Sequence, residues 1–134
     1  MSFTETNQPA SAAGKRPEIL IVEDDPAVRR SMQLLLNGQG FDVRAYASGG
    51  SLLADIATSR AVCLIADYRL DEGNGIAVLT ALRQSGWTLP AILVTAFNSV
   101  QLQQDAREAG FAEVLEKPFK EHALVHAVNR AARA

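Results

Sequence analysis

Four short strand-like runs of this sequence each end in side chains that could bind or transfer a charged group. The runs and the residues that follow them are 62–66 with Asp67, 19–22 with Glu23, Asp24 and Asp25, 91–94 with Thr95, and 114–116 with Lys117. Carboxylates, a hydroxyl and an ammonium are the groups that a site needs to handle a phosphoryl group together with a divalent cation. Phosphoryl chemistry is therefore the first chemistry to consider.

Asp67 is the predicted centre of this site. The apolar run 62–66 indicates a buried strand, and the glycine-containing loop after Asp67 ends that strand abruptly. In open parallel sheets with helices on both faces, ligands bind just beyond the carboxyl ends of the strands. The carboxylate of Asp67 is therefore expected to point into the site.

Composition narrows the classes of protein. A chain of 134 residues forms one domain, and its net charge of −2, with 13 basic and 15 acidic residues interspersed, disfavours a nucleic-acid or membrane surface. Cys63 is the only cysteine, which excludes an internal disulfide and fits a reducing compartment. We find no apolar run long enough to cross a membrane and no export signal, so we expect a cytoplasmic protein.

The periodicity of apolar residues predicts five strands that alternate with five helices. Residues 1–17 lack periodicity and are interpreted as a disordered leader, and residues 18–133 as the folded domain. The predicted strands are 19–22, 41–46, 62–66, 91–94 and 114–116. The predicted helices begin at Pro26, after Ser48, at Gly75, after Asn98 and Ser99, and at Glu121. Right-handed crossovers then imply a parallel sheet covered on both faces.

With its acids, Thr95 and Lys117 at these strand ends, the chain resembles the receiver domain of two-component response regulators over roughly residues 17–133. The resemblance implies a flavodoxin-like (βα)5 three-layer α/β sandwich with a five-stranded parallel sheet in the order 2-1-3-4-5. It also implies a signalling switch rather than an enzyme. Such a switch catalyses only its own phosphotransfer and autodephosphorylation.

The resemblance assigns the acidic residues. Asp67 would be the phosphoacceptor, and the cofactor would be Mg²⁺ or Mn²⁺. Asp25 and Asp67 would bind the cation directly, and Asp24 through a bound water. The backbone carbonyl of Arg69 would be a further ligand, whereas Glu23 is expected not to contribute.

The resemblance also assigns the residues that meet the phosphoryl group. Lys117 would bind one phosphoryl oxygen, and Pro118 would follow a cis peptide bond that aims this lysine. Thr95 would bind another phosphoryl oxygen, and the small side chain of Ala96 would leave room for the donor.

Three features depart from the usual receiver pattern. Asp71 replaces the usual proline, and Val114 replaces an aromatic residue that commonly swings inward as the equivalent of Thr95 moves. Arg69 and Phe97 are both bulky, and their positions in receivers flank the route of the attacking water. This pattern predicts a long-lived phosphoryl group.

The phosphodonor implied by the resemblance is a sensor histidine kinase or a histidine phosphotransfer protein. An unidentified output partner would bind the surface of the fourth helix, fifth strand and fifth helix, without direct contact to nucleic acid or membrane. A phosphorylation-dependent homodimer remains open, as does the choice between a stand-alone receiver and part of a longer regulator. His122 and His126 are interpreted as solvated surface, since nothing nearby completes a metal ligand set.

Two other functions are considered. An aspartate-nucleophile phosphatase of similar topology would need an Asp-x-Asp motif, and the segment 67–69 lacks the second acid. A receiver-like interaction module that binds partners without phosphorylation would not need the complete set of acids, threonine and lysine.

Overall fold

The computed structural model describes residues 16–132, in which five strands alternate with five α-helices. The strands are β1 (Glu18–Val22), β2 (Asp42–Tyr46), β3 (Ala61–Asp67), β4 (Ala91–Thr95) and β5 (Glu113–Glu116). The helices are α1 (Pro26–Gly38), α2 (Gly49–Asp55), α3 (Gly75–Gln84), α4 (Val100–Ala109) and α5 (Glu121–Ala132), and a 3₁₀ turn (Ile56–Thr58) follows α2. Residues 1–15, most of the predicted leader, lie outside the described residues.

The five strands form one sheet in the order β2-β1-β3-β4-β5, and all neighbouring strands are parallel. The predicted α/β flavodoxin-like fold and its strand order are therefore confirmed. Because every strand runs in the same direction, the carboxyl ends of all five strands meet along one edge of the sheet. The candidate residues predicted from the sequence lie at or just beyond this edge.

Helices cover both faces of the sheet, and each face has its own apolar core. One face packs against α1 and α5, and we call it the α1–α5 face. The other packs against α2, α3 and α4, and we call it the α2–α3–α4 face. Successive side chains of a strand point to opposite faces, so β3 and β4, which are covered on both sides, are apolar almost throughout.

Side-chain caps begin four of the helices. Asp25, Ser48, Asn74 and Ser99 each accept a hydrogen bond from a backbone N–H in the first turn of the helix that follows. These caps satisfy backbone donors that have no partner within the helix. Ser48 and Ser99 cap the helices that were predicted to begin after them, and Asn74 caps α3, which was predicted to begin at Gly75.

Two residues of the predicted leader fall within the described part of the chain and contact the folded domain. The carbonyl of Pro17 accepts a hydrogen bond from the Asp42 N–H at 2.9 Å, and the Arg16 guanidinium donates to the Phe41 carbonyl at 3.0 Å.

Among the described residues, no helix is both long enough and apolar enough to cross a membrane.

Gly75 lies where α3 passes closest to the carboxyl end of β3. A Cβ atom at this position would lie 2.5 Å from the carbonyl oxygen of Asp67 and 2.9 Å from a methyl group of Leu93. We expect Gly75→Ala to lower the free energy of unfolding by about 1–3 kcal/mol, because the backbone at Asp67 cannot yield easily. Urea unfolding monitored by circular dichroism measures this effect.

Gly50→Ala is the matched control for this substitution. The nearest atom to a Cβ at Gly50 is the Ser48 hydroxyl at 4.0 Å, and alanine favours a helix more than glycine does. This variant should unfold at the same urea concentration as the parent chain or at a higher one. Equal destabilisation by the two substitutions would contradict the close approach at Gly75.

Candidate functional site

The side chains of Glu23, Asp67 and Lys117 meet at the carboxyl edge of the sheet. Lys117 Nζ donates to Glu23 Oε1 at 2.9 Å and to Asp67 Oδ2 at 3.1 Å. Glu23 and Asp67 are both buried, with 0% and 6% of their surface exposed. In the register of β1 and β3, Val22 pairs with Ala66, so Glu23 and Asp67 follow side by side. Residues far apart in the sequence thus form one compact polar site.

Burial and hydrogen bonds shift the pKa values of Glu23 and Lys117 in this site. Burial raises the pKa of the Glu23 carboxyl, and hydrogen bonds from Lys117 and from the Asp25 N–H offset that effect only in part. Burial on its own would lower the pKa of the Lys117 ammonium, but its hydrogen bonds to Glu23 and Asp67 outweigh burial and raise the pKa. One ammonium therefore balances two buried carboxyl groups.

Asp24 adds a third carboxylate to this site. One oxygen each from Glu23, Asp24 and Asp67 lies within 4.8 Å of the others, and no other group of this kind occurs among residues 16–132. Oxygen-only clusters of this type suit hard divalent cations such as Mg²⁺. With three acids and a single ammonium, the cluster could hold such a cation.

Asp25, which was expected to bind the metal together with Asp67, is not a member of this acidic cluster. The Asp25 carboxylate accepts hydrogen bonds from the N–H groups of Ala27 and Val28, at 2.9 and 3.2 Å, as the N-cap of α1. Glu23, which was expected not to contribute, takes its place beside Asp67. Pro26 indicates this cap in the sequence, since an aspartate directly before a helix-starting proline is a common helix start.

Thr95 lies at the end of the neighbouring strand and is 1% exposed. Its hydroxyl oxygen accepts a hydrogen bond from the Phe97 N–H at 3.0 Å, and its carbonyl accepts one from the Lys117 N–H at 2.7 Å. The second bond joins the carboxyl ends of β4 and β5. The backbones of Thr95 and Lys117 thus lie side by side, while the Thr95 hydroxyl bonds to the Phe97 N–H.

The peptide bond between Lys117 and Pro118 is cis, as the resemblance implied. Ala96, Lys117 and Pro118 line an open cavity of about 350 Å³ together with Val28 and Phe119. The small Ala96 side chain therefore borders free space next to the Lys117 side chain.

The predicted flanking residues Arg69 and Phe97 contact each other. The guanidinium carbon of Arg69 lies 4.0 Å from the centroid of the Phe97 ring, which is a cation–π geometry. The Phe97 side chain is unusually exposed for an aromatic residue, at 57%. Sequence analysis identified both residues but not this contact, because nothing in the local pattern of either loop indicates it.

The remaining departures from the receiver pattern lie around this site. The carboxyl group of Asp71 is close enough to that of Asp24 to share a hydrogen bond, which together with their charges raises the pKa of Asp71. Val114 is half-buried and packs against the core of the α2–α3–α4 face. His122 and His126 lie with ring centroids 5.7 Å apart, and no third ligand completes a metal site with them among the described residues.

The response regulator receiver domain family model matches residues 19–129, which is most of the chain and includes every residue of the site described above. The chain belongs to this family. Receiver domains are signalling modules of two-component systems that interact with histidine kinases, and they typically bind Mg²⁺.

Individual relatives agree with this assignment. The transcriptional regulatory protein TdiR of Thauera aromatica is 32% identical over 123 residues, covering 91% of this chain and 54% of TdiR. The transcriptional regulatory protein FixJ of Rhizobium meliloti is 31% identical over 111 residues, covering 83% of this chain and 54% of FixJ. The receiver chain thus spans about half the length of these curated relatives.

Solved structures give the same picture of the fold. A putative response regulator from Chloroflexus aurantiacus J-10-fl is 33% identical and superposes with a TM-score of 0.82, covering 90% of this chain and 100% of that one. A CheY-like response regulator receiver domain protein from Methanospirillum hungatei JF-1 shares the fold with a TM-score of 0.83 at 24% identity, covering 89% of this chain and 95% of that one.

Proposed function

We propose that this receiver domain accepts a phosphoryl group on Asp67 from the phosphohistidine of a sensor histidine kinase or a histidine phosphotransfer protein. The observation that carries the proposal is the buried Asp67 carboxylate, which accepts a hydrogen bond from Lys117 at 3.1 Å and lies in a cluster with Glu23 and Asp24. In the transfer, an Asp67 carboxylate oxygen forms a bond to phosphorus while the bond from phosphorus to the donor nitrogen breaks.

The cofactor would be Mg²⁺, or Mn²⁺ in its place. Carboxylates of Glu23, Asp24 and Asp67 would hold the cation together with the backbone carbonyl of Arg69, and the three acids fit this role because their oxygens already converge. When bound, the cation neutralises the like charges of the donor phosphoryl group and the acceptor carboxylate.

Other residues of the chain would position the phosphoryl group. The Lys117 ammonium, which contacts Asp67 at 3.1 Å, is placed to bind a phosphoryl oxygen on that residue. The Thr95 hydroxyl would bind a second oxygen, and the cavity beside Ala96 would admit the donor. Arg69 and Phe97 would flank the route of the attacking water, and the bulk of each side chain predicts slow autodephosphorylation.

The output surface would be formed by α4, β5 and α5. Phosphorylation adds a charge of about −1.5 to −2 next to the ends of β4 and β5, to which Thr95 and Lys117 belong. The α4 helix buries only Leu102 and Ala106, so it is less firmly anchored than a deeply packed helix. We propose that an unidentified protein partner in the cytoplasm binds this surface, with a second copy of the chain as one form of such a partner and without direct contact to nucleic acid or membrane.

Acetyl phosphate tests the proposal without a cognate kinase. Incubation of the purified chain with acetyl phosphate and Mg²⁺ should add the mass of one phosphoryl group, and removal of Mg²⁺ with a chelator should prevent the addition. Treatment with hydroxylamine should remove the adduct, because an acyl phosphate is attacked by nucleophiles whereas a phosphoserine is not. Intact-mass spectrometry measures each step.

The alternatives give different results in the same experiment. An aspartate-nucleophile phosphatase would turn over a phosphate ester repeatedly, and a phosphorylation-independent interaction module would form no adduct. The same samples followed over time measure the lifetime of the phosphoryl group. Complete hydrolysis within seconds would contradict the slow autodephosphorylation predicted from the bulk of Arg69 and Phe97.

A further inference from the structure

We propose that Phe97 and Arg69 respond to the position of the Thr95 hydroxyl, so that a phosphoryl group on Asp67 separates the stacked pair and releases an exposed aromatic side chain. The inference rests on the proposed phosphoacceptor role of Asp67. Val114 has no aromatic ring that could swing inward as Thr95 moves. The contact between Phe97 and Arg69 would respond to the Thr95 movement instead.

The Thr95 and Asp67 side chains start on different sides of the sheet. Along β4, Leu93 packs in the core of the α2–α3–α4 face and Val94 in the core of the α1–α5 face. Asp67 pairs with Val94 in the register of β3 and β4, so alternation places Asp67 on the α1–α5 side and Thr95 on the other. The Thr95 hydroxyl must therefore turn before it can bind a phosphoryl oxygen on Asp67.

A hydrogen bond links the Thr95 hydroxyl to the backbone of Phe97. In the structure the Thr95 hydroxyl oxygen is the acceptor for the Phe97 N–H at 3.0 Å. When the hydroxyl turns toward a phosphoryl oxygen, this N–H loses its acceptor. An unsatisfied backbone N–H is costly unless water or another acceptor replaces the lost partner. The backbone at Phe97 is therefore expected to shift with Thr95.

Arg69 is not expected to follow the shift of the Phe97 backbone. Its backbone forms a bridge with Asn74, and Asn74 caps the first turn of α3. Its guanidinium makes no ion pair among the described residues and lies 4.0 Å from the centroid of the Phe97 ring. A shift of Phe97 against a fixed Arg69 separates the guanidinium from the ring.

The released ring would lie on a surface that can bind a partner. Phe97 is 57% exposed, and Val100 in the first turn of α4 is 75% exposed. Both belong to the segment that leads from Thr95 into α4. Phosphorylation would thus change the position of an aromatic side chain at the start of the proposed output surface.

Solution NMR of the full chain tests this coupling, with acetyl phosphate and Mg²⁺ present to maintain the adduct. The Phe97 amide signal should shift on phosphorylation, and the Arg69 side-chain protons should lose the upfield shift caused by the ring. Arg44 and Glu18 provide an internal control, because their ion pair at 2.9 Å joins β2 and β1, on the opposite side of β3 from the strand that carries Thr95. Their signals should stay unchanged.

Substitutions at Thr95 test whether the hydroxyl carries the signal. Thr95→Ser keeps the hydroxyl and should keep the response, whereas Thr95→Val should lose it in protein that carries the adduct. Intact mass of each NMR sample gives the fraction phosphorylated. Spectra of the unphosphorylated variants report whether each one folds.

The outcomes separate this inference from the proposed function. An adduct in the parent chain without any change at Arg69 and Phe97 would overturn the inference and leave the phosphoacceptor role intact. This result comes from the parent chain alone, so it tests the inference even if a variant fails to fold. A response that persists in phosphorylated Thr95→Val would also overturn it. Failure to form an adduct at all would overturn the proposed function, and the inference with it.

Discussion

Asp67→Asn is expected to abolish the phosphoryl adduct that acetyl phosphate and Mg²⁺ form on this chain. The amide of asparagine is not a nucleophile that forms an acyl phosphate, and Glu23, the other carboxylate that contacts Lys117, follows β1 and does not occupy the acceptor position at the end of β3. The amide oxygen can still accept the Lys117 hydrogen bond, so the variant should fold. Intact-mass spectrometry should show complete loss of the adduct.

Asp105→Asn is the matched control for this experiment. The Asp105 carboxylate is exposed on α4 and accepts a hydrogen bond from the Gln101 side chain, far along the chain from the acceptor. Its substitution makes the same chemical change at a surface position and should leave the adduct intact. An adduct that persists in Asp67→Asn would place the phosphoacceptor on another residue.

Glu23→Gln is expected to weaken the binding of Mg²⁺ by about 10- to 100-fold, and Asp24→Asn should do the same. Each substitution removes one negative charge from the three acids whose oxygens lie within 4.8 Å of one another. Titration of the chain with Mg²⁺ by isothermal calorimetry measures the affinity. Similar folding of the variants, checked by circular dichroism, excludes a structural origin of the loss.

Asp25→Ala should lower the stability of the fold and leave the Mg²⁺ affinity unchanged. Its carboxylate caps α1 through Ala27 and Val28, so its loss is expected to lower the free energy of unfolding by about 0.5–2 kcal/mol while the Mg²⁺ affinity stays unchanged. Asp25→Asn should preserve both properties, since asparagine is an equally good cap. Loss of Mg²⁺ binding in the Asp25 variants with retention in Glu23→Gln would restore the acid pair expected from the sequence.

The sequence was sufficient for the secondary structure because the relevant signals are local. Apolar runs bounded by glycine, proline and capping residues mark the strands and helices. The observed strands match the predicted ones to within one residue at each end, and the helices begin where they were predicted to begin. Strand ends are local features as well. Asp67, Thr95 and Lys117 could therefore be placed at one edge of the sheet as soon as the strands were predicted to be parallel.

The choice among Glu23, Asp24 and Asp25 could not be made from the sequence in the same way. It depends on the register of β1 against β3, which places Glu23 beside Asp67, and on the competing use of Asp25 as a helix cap. Both are settled only when the strands pair and α1 packs. A shift of one residue sends a side chain to the opposite face, so a difference of one position exchanges the acid beside Asp67 and the helix cap.

The sequence by itself determined the fold class, the family and the strand ends that carry the chemistry, because apolar periodicity and residue type are written along the chain. Only the tertiary structure decided which acid joins Asp67, and it alone revealed that Arg69 lies over Phe97 at 4.0 Å while the Phe97 N–H bonds to Thr95. The loops that carry Arg69 and Phe97 are separated by a helix and a strand. They meet because β3 and β4 pair side by side, and that pairing is a property of the assembled sheet.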